Sequence, residues 1–133
     1  MDIKLATGSN ETAIELKNCQ RLGNRDYRCF LSVRSGAFSA GIVFYFEHHG
    51  LMSFVSALES VYQALVGEAQ LKAEFEEPYI SFEGDGRGHV WVRGRLLTTG
   101  PNFQTFQFEF DTDQTCLPPF ISALRDLQHL EIG

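Results

Sequence analysis

Four histidines, three cysteines and several clusters of carboxylates are the side chains of this chain that could carry chemistry. His48 and His49 are adjacent, and successive residues of a strand point to opposite faces, so both cannot serve one site. One of them could join His89 around a metal, but no third ligand stands at a diagnostic spacing, and a histidine in a loop at a strand end is the plainer reading. Cys19, Cys29 and Cys116 include no Cys-x-x-Cys pair. Cys29 lies in an apolar strand-like run and Cys116 at a helix edge, where cysteine serves as a small hydrophobe. Ser53, Ser56 and Ser60 lack the strand–turn–helix setting of a nucleophile elbow. Gly84-Asp85-Gly86-Arg87-Gly88-His89 has the glycine content of a phosphate loop. Its third glycine comes one place early for a dinucleotide fingerprint, and a strand follows where a helix is required. A hairpin suits it better.

The carboxylates form two groups: Glu74, Glu76 and Glu77 before Pro78, and Asp111 with Asp113 before the last helix. Acid–base catalysis needs a fixed separation and split pKa values, and neither is legible in a sequence. Asp113 suits a helix N-terminus, and Glu74 and Glu76 suit the solvated side of a strand. Both groups, Asp111 and Asp113 included, can also present an acidic surface to a basic partner. These residues call for no catalytic role, no cofactor and no metal.

The elements that position these side chains follow from apolar periodicity. Residues 12–17, 27–34 and 37–47 alternate as strands, with turn chemistry at residues 22–26. In the third, Phe38, Ala40, Ile42, Phe44 and Phe46 share a face, and Gly41 interrupts it as a bulge would. Leu51, Phe54, Val55, Leu58, Val61, Tyr62 and Leu65 then fall at helical spacing, with Gly67 placed to cap the end. Alternation returns over residues 70–76, 79–83, 89–97 and 103–111. Thr115 can cap a last helix with Pro118 and Pro119 in its tolerant first turn and Leu117, Phe120, Ile121, Leu124, Leu127 and Leu130 buried. The order βββ-α-ββββ-α, with short turns between neighbouring strands, predicts an α+β fold. Its mainly antiparallel sheet has about six to seven strands, with both helices packed on one face.

Composition agrees with a globular chain. The 133 residues are 44% hydrophobic and 21% charged, with a formal net charge of −6. No linker or repeat divides them, so residues 1–133 read as a single domain. The acidic balance argues against a protein that grips nucleic-acid phosphates, and no stretch approaches the ~18 apolar residues of a membrane span. Residues 1–10 lack the apolar centre of a signal peptide, and the odd cysteine count suits a reducing compartment, which points to the cytoplasm.

Subtracting the apolar faces leaves an unusual remainder. On residues 89–97, Val90, Val92 and Leu96 must face the helices, which puts His89, Trp91, Arg93 and Arg95 on the other side. Tyr79, Ser81 and Glu83 join them, as do Ser39, Val43, Tyr45 and Glu47, and Arg28, Phe30, Ser32 and Arg34. Tryptophan, tyrosine and arginine on one sheet face match the composition of binding hot spots. Cross-strand pairing on a solvated face, a cover formed by the N-terminal segment, a homodimer seam and a small-ligand pocket near His89, Trp91, Arg93 and Tyr45 are the competing readings.

Three segments carry a family resemblance: Glu15-Leu16 with Tyr27-Arg28-Cys29-Phe30-Leu31-Ser32-Val33, the helix over residues 51–66, and residues 71–96 with EPYISFE and GRGHVWVRGRL. Together they resemble the WapI-type immunity proteins of bacteria. The last segment is also similar to a related bacterial family of unknown function, in which a GHV-type strand follows a glycine hairpin. The resemblance spans residues 12–130 and implies a small cytoplasmic protein that neutralises a toxin domain, often a nuclease, by direct protein–protein contact. It brings no catalytic residues with it. This chain departs from the pattern in carrying few charges on its first helix and a short loop after it. The partner-binding candidates are then Trp91, Arg93, Arg95, Tyr45 and Tyr79 on the sheet face and Glu74, Glu76 and Glu77 on the acidic one.

Overall fold

The computed structural model describes residues 1–133 apart from 24, 75–77, 99 and 133. Its elements run β1 (Ile3–Ala6), β2 (Thr12–Arg21), β3 (Asp26–Ser35), β4 (Phe38–Glu47), α1 (His48–Ala64), β5 (Val66–Lys72), β6 (Tyr79–Asp85), β7 (His89–Leu97), β8 (Thr105–Asp113) and α2 (Leu117–Gln128). The fold is α+β and antiparallel throughout its named strand pairs, as the alternation predicts. The eight strands form two sheets of four, ordered β1-β2-β3-β4 and β5-β6-β7-β8, rather than one sheet of six or seven. Each sheet is a simple meander, and α1 carries the chain from the first to the second.

One apolar cluster joins both sheets and both helices. Leu16, Leu31 and Phe44 of the first sheet, Phe82 and Val92 of the second, and Leu51, Phe54, Phe120 and Leu124 of the helices all belong to it. Phe54, Phe82 and Phe120 pack ring against ring at its centre, with centroids 5.6–6.5 Å apart. The helices touch each other, α1 lies along β5, and α2 reaches back to β1. Arg21 of β2 fixes the end of α2 by donating from Nη1 to the carbonyls of Gln128 and Leu130.

Several local expectations change. The N-terminal segment is the edge strand β1, paired Ile3 to Leu16, and not a cover over a sheet face. At only four residues, β1 is too short for alternation to announce it. The register of β3 and β4 runs unbroken through Gly41, and the irregularity sits instead in β2 between Lys17 and Gln20, where Asn18 takes a φ of 52°. Gly41 is needed for space: a Cβ there would lie 2.5 Å from the Phe30 ring.

Helix α1 runs from His48 to Ala64 and is capped by Leu65, not by Gly67, which lies inside β5. Leu65 takes a left-handed φ of 64°, and its N–H donates to the Val61 carbonyl. The strain of that conformation, roughly 1–2 kcal/mol, is offset because the Gly86 N–H donates to the Leu65 carbonyl. Gly84 has no Cβ to obstruct that approach: one built there would meet the same oxygen at 2.4 Å. The fifth strand therefore follows the helix directly, over Val66–Lys72, starting four residues before the run expected at residues 70–76, of which 75 and 76 lie outside the described residues. At the other end, Thr115 does not cap α2. Its N–H donates to the Asp113 carboxylate, which opens a short 3-10 turn ahead of Leu117, and Pro118 and Pro119 take the first turn as expected. That bond holds the Asp113 carboxyl below its usual range.

Candidate functional site

The hairpin at Gly84–Gly88 sets the register of the second sheet, and the register assembles the site. Asp85 shapes the hairpin by accepting from the N–H groups of Arg87 and His89. Gly84 then pairs with Val90, Glu83 with Trp91, Ser81 with Arg93 and Tyr79 with Arg95. On the far side Trp91 pairs with Asp111, Arg93 with Glu109 and Arg95 with Gln107, while Glu68 and Gln70 of β5 stand beside Glu83 and Ser81. Val90, Val92 and Leu96 are buried beneath, so the outer face carries the complementary set that alternation assigns to it.

Arg93 is the hub of this face. Its Nη1 lies 3.0 Å from Glu83 Oε1 and its Nε donates to Glu109 Oε1, so one guanidinium ties β6, β7 and β8 together. These two carboxylates hold its pKa above the usual arginine value. Its Cζ also lies 5.9 Å from the ring centroid of Trp91. Ser81, largely buried, donates to Glu68, and His89 Nδ1 stands 3.9 Å from Asp111 Oδ2. Trp91 is 37% exposed at an interior position of the sheet, with Arg93 over its ring. The acids Glu68, Glu83, Glu109 and Asp111 surround it. Alternation along β8 puts Glu109 on the outer face with Thr105 and Gln107, and Asp111 continues that side of the strand. Once the hairpin register is known, their period-2 spacing shared with Gln107 and Asp113 identifies them.

The remaining candidates lie elsewhere. Tyr45 belongs to the first sheet, 44% exposed beside Val43 and Phe30, with Arg28, Ser32 and Arg34 on the neighbouring strand. The single mixed face expected from the sequence is therefore two faces on two sheets. Glu74 is brought to Tyr45 through the backbone, its N–H donating to the Tyr45 carbonyl. Its carboxyl is raised above the usual range by desolvation and then by Asp26 and Glu47. Glu76 and Glu77 lie outside the described residues. A cavity of about 730 Å³ opens at this seam, lined by Phe30, Val43, Tyr45, Pro78 and Leu97 among others. His89, Trp91 and Arg93 are not in its lining, so no pocket there unites them with Tyr45.

Two thiols, Cys19 and Cys29, are buried in the first sheet near the β2 irregularity. Cys19 Sγ donates to the Leu16 carbonyl, and the interaction of the two thiols pushes the Cys29 pKa up, with burial adding to it, and the Cys19 pKa down. Tyr27 lies buried below Arg21, its hydroxyl 2.7 Å from His48 Nδ1. Among the described residues no three His, Cys, Asp or Glu side chains are grouped to hold a metal.

The scaffold is antiparallel α+β, its helices pack into the core shared by both sheets, and the second sheet turns a polar face centred on Trp91 outward. The chain belongs to the immunity protein WapI-like family, whose model matches residues 6–129. This is the first of the two families that the sequence resembles. Comparison with curated proteins and with solved structures returns no match. No helix of the described residues is long and apolar enough to cross a membrane.

Proposed function

We propose that this chain is an immunity protein that neutralises a bacterial toxin domain by direct contact, binding rather than catalysing, as one domain acting in the cytoplasm. The observation that carries the reading, beside family membership, is Trp91: a large aromatic left 37% exposed on an interior strand, next to an Arg93 already held by Glu83 and Glu109. A tryptophan so placed gives a partner a rigid, partly desolvated anchor. Arg93, Arg95 and Tyr79 shape the ground around it. Tyr45 and Glu74, on the other sheet and at the seam, form a second contact region, to which Glu76 and Glu77 belong by sequence. A self-associating domain or a small-ligand protein are the alternatives; the seam cavity favours the second only near Tyr45, away from Trp91.

The test is coexpression of the chain with each secreted-toxin C-terminal domain encoded in its own genome. A domain that arrests growth alone and is silenced by this chain, with a stoichiometric complex recovered on purification, supports the reading. Arrest by every such domain despite abundant folded chain contradicts it.

A further inference from the structure

The outer face of the second sheet is divided by charge. Around Trp91 stand Glu68, Glu83, Asp85, Glu109, Asp111 and Asp113, facing Arg93, which two of them engage, and Arg87 on the hairpin. At the opposite end, the row of Lys72, Tyr79, Arg95 and Gln107 carries two cations and no carboxylate among the described residues. The acids are not all spent internally. The Asp111 side chain is 59% exposed, with His89 Nδ1 3.9 Å from its Oδ2.

We infer that the Trp91 end of this face docks a basic surface of the toxin domain, with a partner arginine laid on the exposed part of the indole between Glu83 and Asp111. The inference rests on the immunity reading and deepens it by assigning the surface and the partner's chemistry. The face already shows the recognition in miniature: Arg93 sits over the same indole with its guanidinium shared between two carboxylates. A guanidinium gains both from the ring's negative face and from planar pairing with carboxylates, whereas an ammonium matches the second less well. Six acids on one half-face of a −6 protein also concentrate the field where encounter would begin.

The sole tryptophan is its own probe. The chain is titrated with hexa-arginine, hexalysine and hexaglutamate peptides at low salt, following Trp91 emission and backbone amide shifts of β6–β8. The expected result is a saturable emission change with hexa-arginine, at least about threefold tighter than with hexalysine, absent with hexaglutamate and lost at high salt. Asp111→Lys should weaken it about fivefold or more, and Asp111→Asn by less. Glu15→Lys, an equal charge change on the outer face of the first sheet, should alter it less than twofold. Unchanged emission and shifts, or equal weakening by Asp111→Lys and Glu15→Lys, overturns the proposal. So does a dimer that already covers Trp91 without peptide. A toxin domain silenced equally well by Asp111→Lys and Trp91→Ala would sink this surface and leave the immunity reading standing. Peptide binding as described, with no toxin domain silenced, would sink the immunity reading instead.

Discussion

The guanidinium carbon of Arg93 lies 5.9 Å from the centre of the Trp91 ring, and the two residues are neighbours on one side of the same strand. Glu83 and Glu109 hold the guanidinium from the flanking strands, so the tryptophan meets solvent with one flank fixed. A rigid aromatic loses little side-chain freedom when a partner covers it. The face is thus built before any partner arrives.

Trp91→Ala should leave the fold nearly intact, lowering stability by less than about 1 kcal/mol, the scale of a cross-strand pair. Phe120→Ala, which empties the centre of the ring cluster, should lower it by about 3–5 kcal/mol. Urea denaturation of the two variants checks the contrast. A large loss from Trp91→Ala would make the indole a structural residue.

Arg93→Ala should also cost little stability, about 0–1 kcal/mol, because the pairs it breaks are solvent-exposed. Trp91 emission should nonetheless shift, since its fixed flank is gone. Unchanged emission would separate Arg93 from the indole in solution.

Two glycines should resist a methyl group for reasons of space. In Gly94→Ala the new Cβ would fall 2.4 Å from the Phe108 ring and 2.6 Å from the Tyr79 carbonyl, and in Gly84→Ala it would fall 2.4 Å from the Leu65 carbonyl. Each should destabilise by about 1–3 kcal/mol. Gly50→Ala, in the first turn of α1 with nothing within 4 Å of the new Cβ, should stabilise by up to about 1 kcal/mol. Thermal melts of the three variants read the signs directly.

Acid should weaken the protein through His48. Burial, and then Arg21 and His129, hold its pKa below the ordinary 6.5, so the folded state keeps the ring neutral beside the Tyr27 hydroxyl. The unfolded chain takes up a proton first as pH falls. The stabilisation is therefore complete above the ordinary value and drains away as pH drops toward the folded one. Between about pH 7 and pH 5 the melting temperature of the wild type should fall more than that of His48→Gln, which keeps an acceptor for Tyr27. Equal falls would remove His48 as the cause.

Much of this fold is legible in the residues because period-2 alternation is strong. Val90, Val92 and Leu96 against Trp91, Arg93 and Arg95 assign both faces of β7 without a structure. The partition into two sheets is not legible, since alternation tells which way Tyr45 and Trp91 point and not that α1 carries the chain to a second sheet between them. The Leu65 terminus is hidden for a different reason. A leucine accepts a left-handed conformation only because Gly84 and Gly86, some twenty residues later, make room for and bond its carbonyl. The acids around Trp91 are visible in the sequence, but their grouping needs the register of three hairpins at once.

The most direct measurement is the protection given by wild type, Trp91→Ala and Asp111→Lys in cells expressing the toxin domain that the chain silences, with complex dissociation rates for the same three proteins. The account predicts full protection by wild type, a dissociation rate raised about tenfold or more by Trp91→Ala, and an association rate reduced by Asp111→Lys that converges with wild type at high salt. Undiminished protection and unchanged rates for both variants would contradict it.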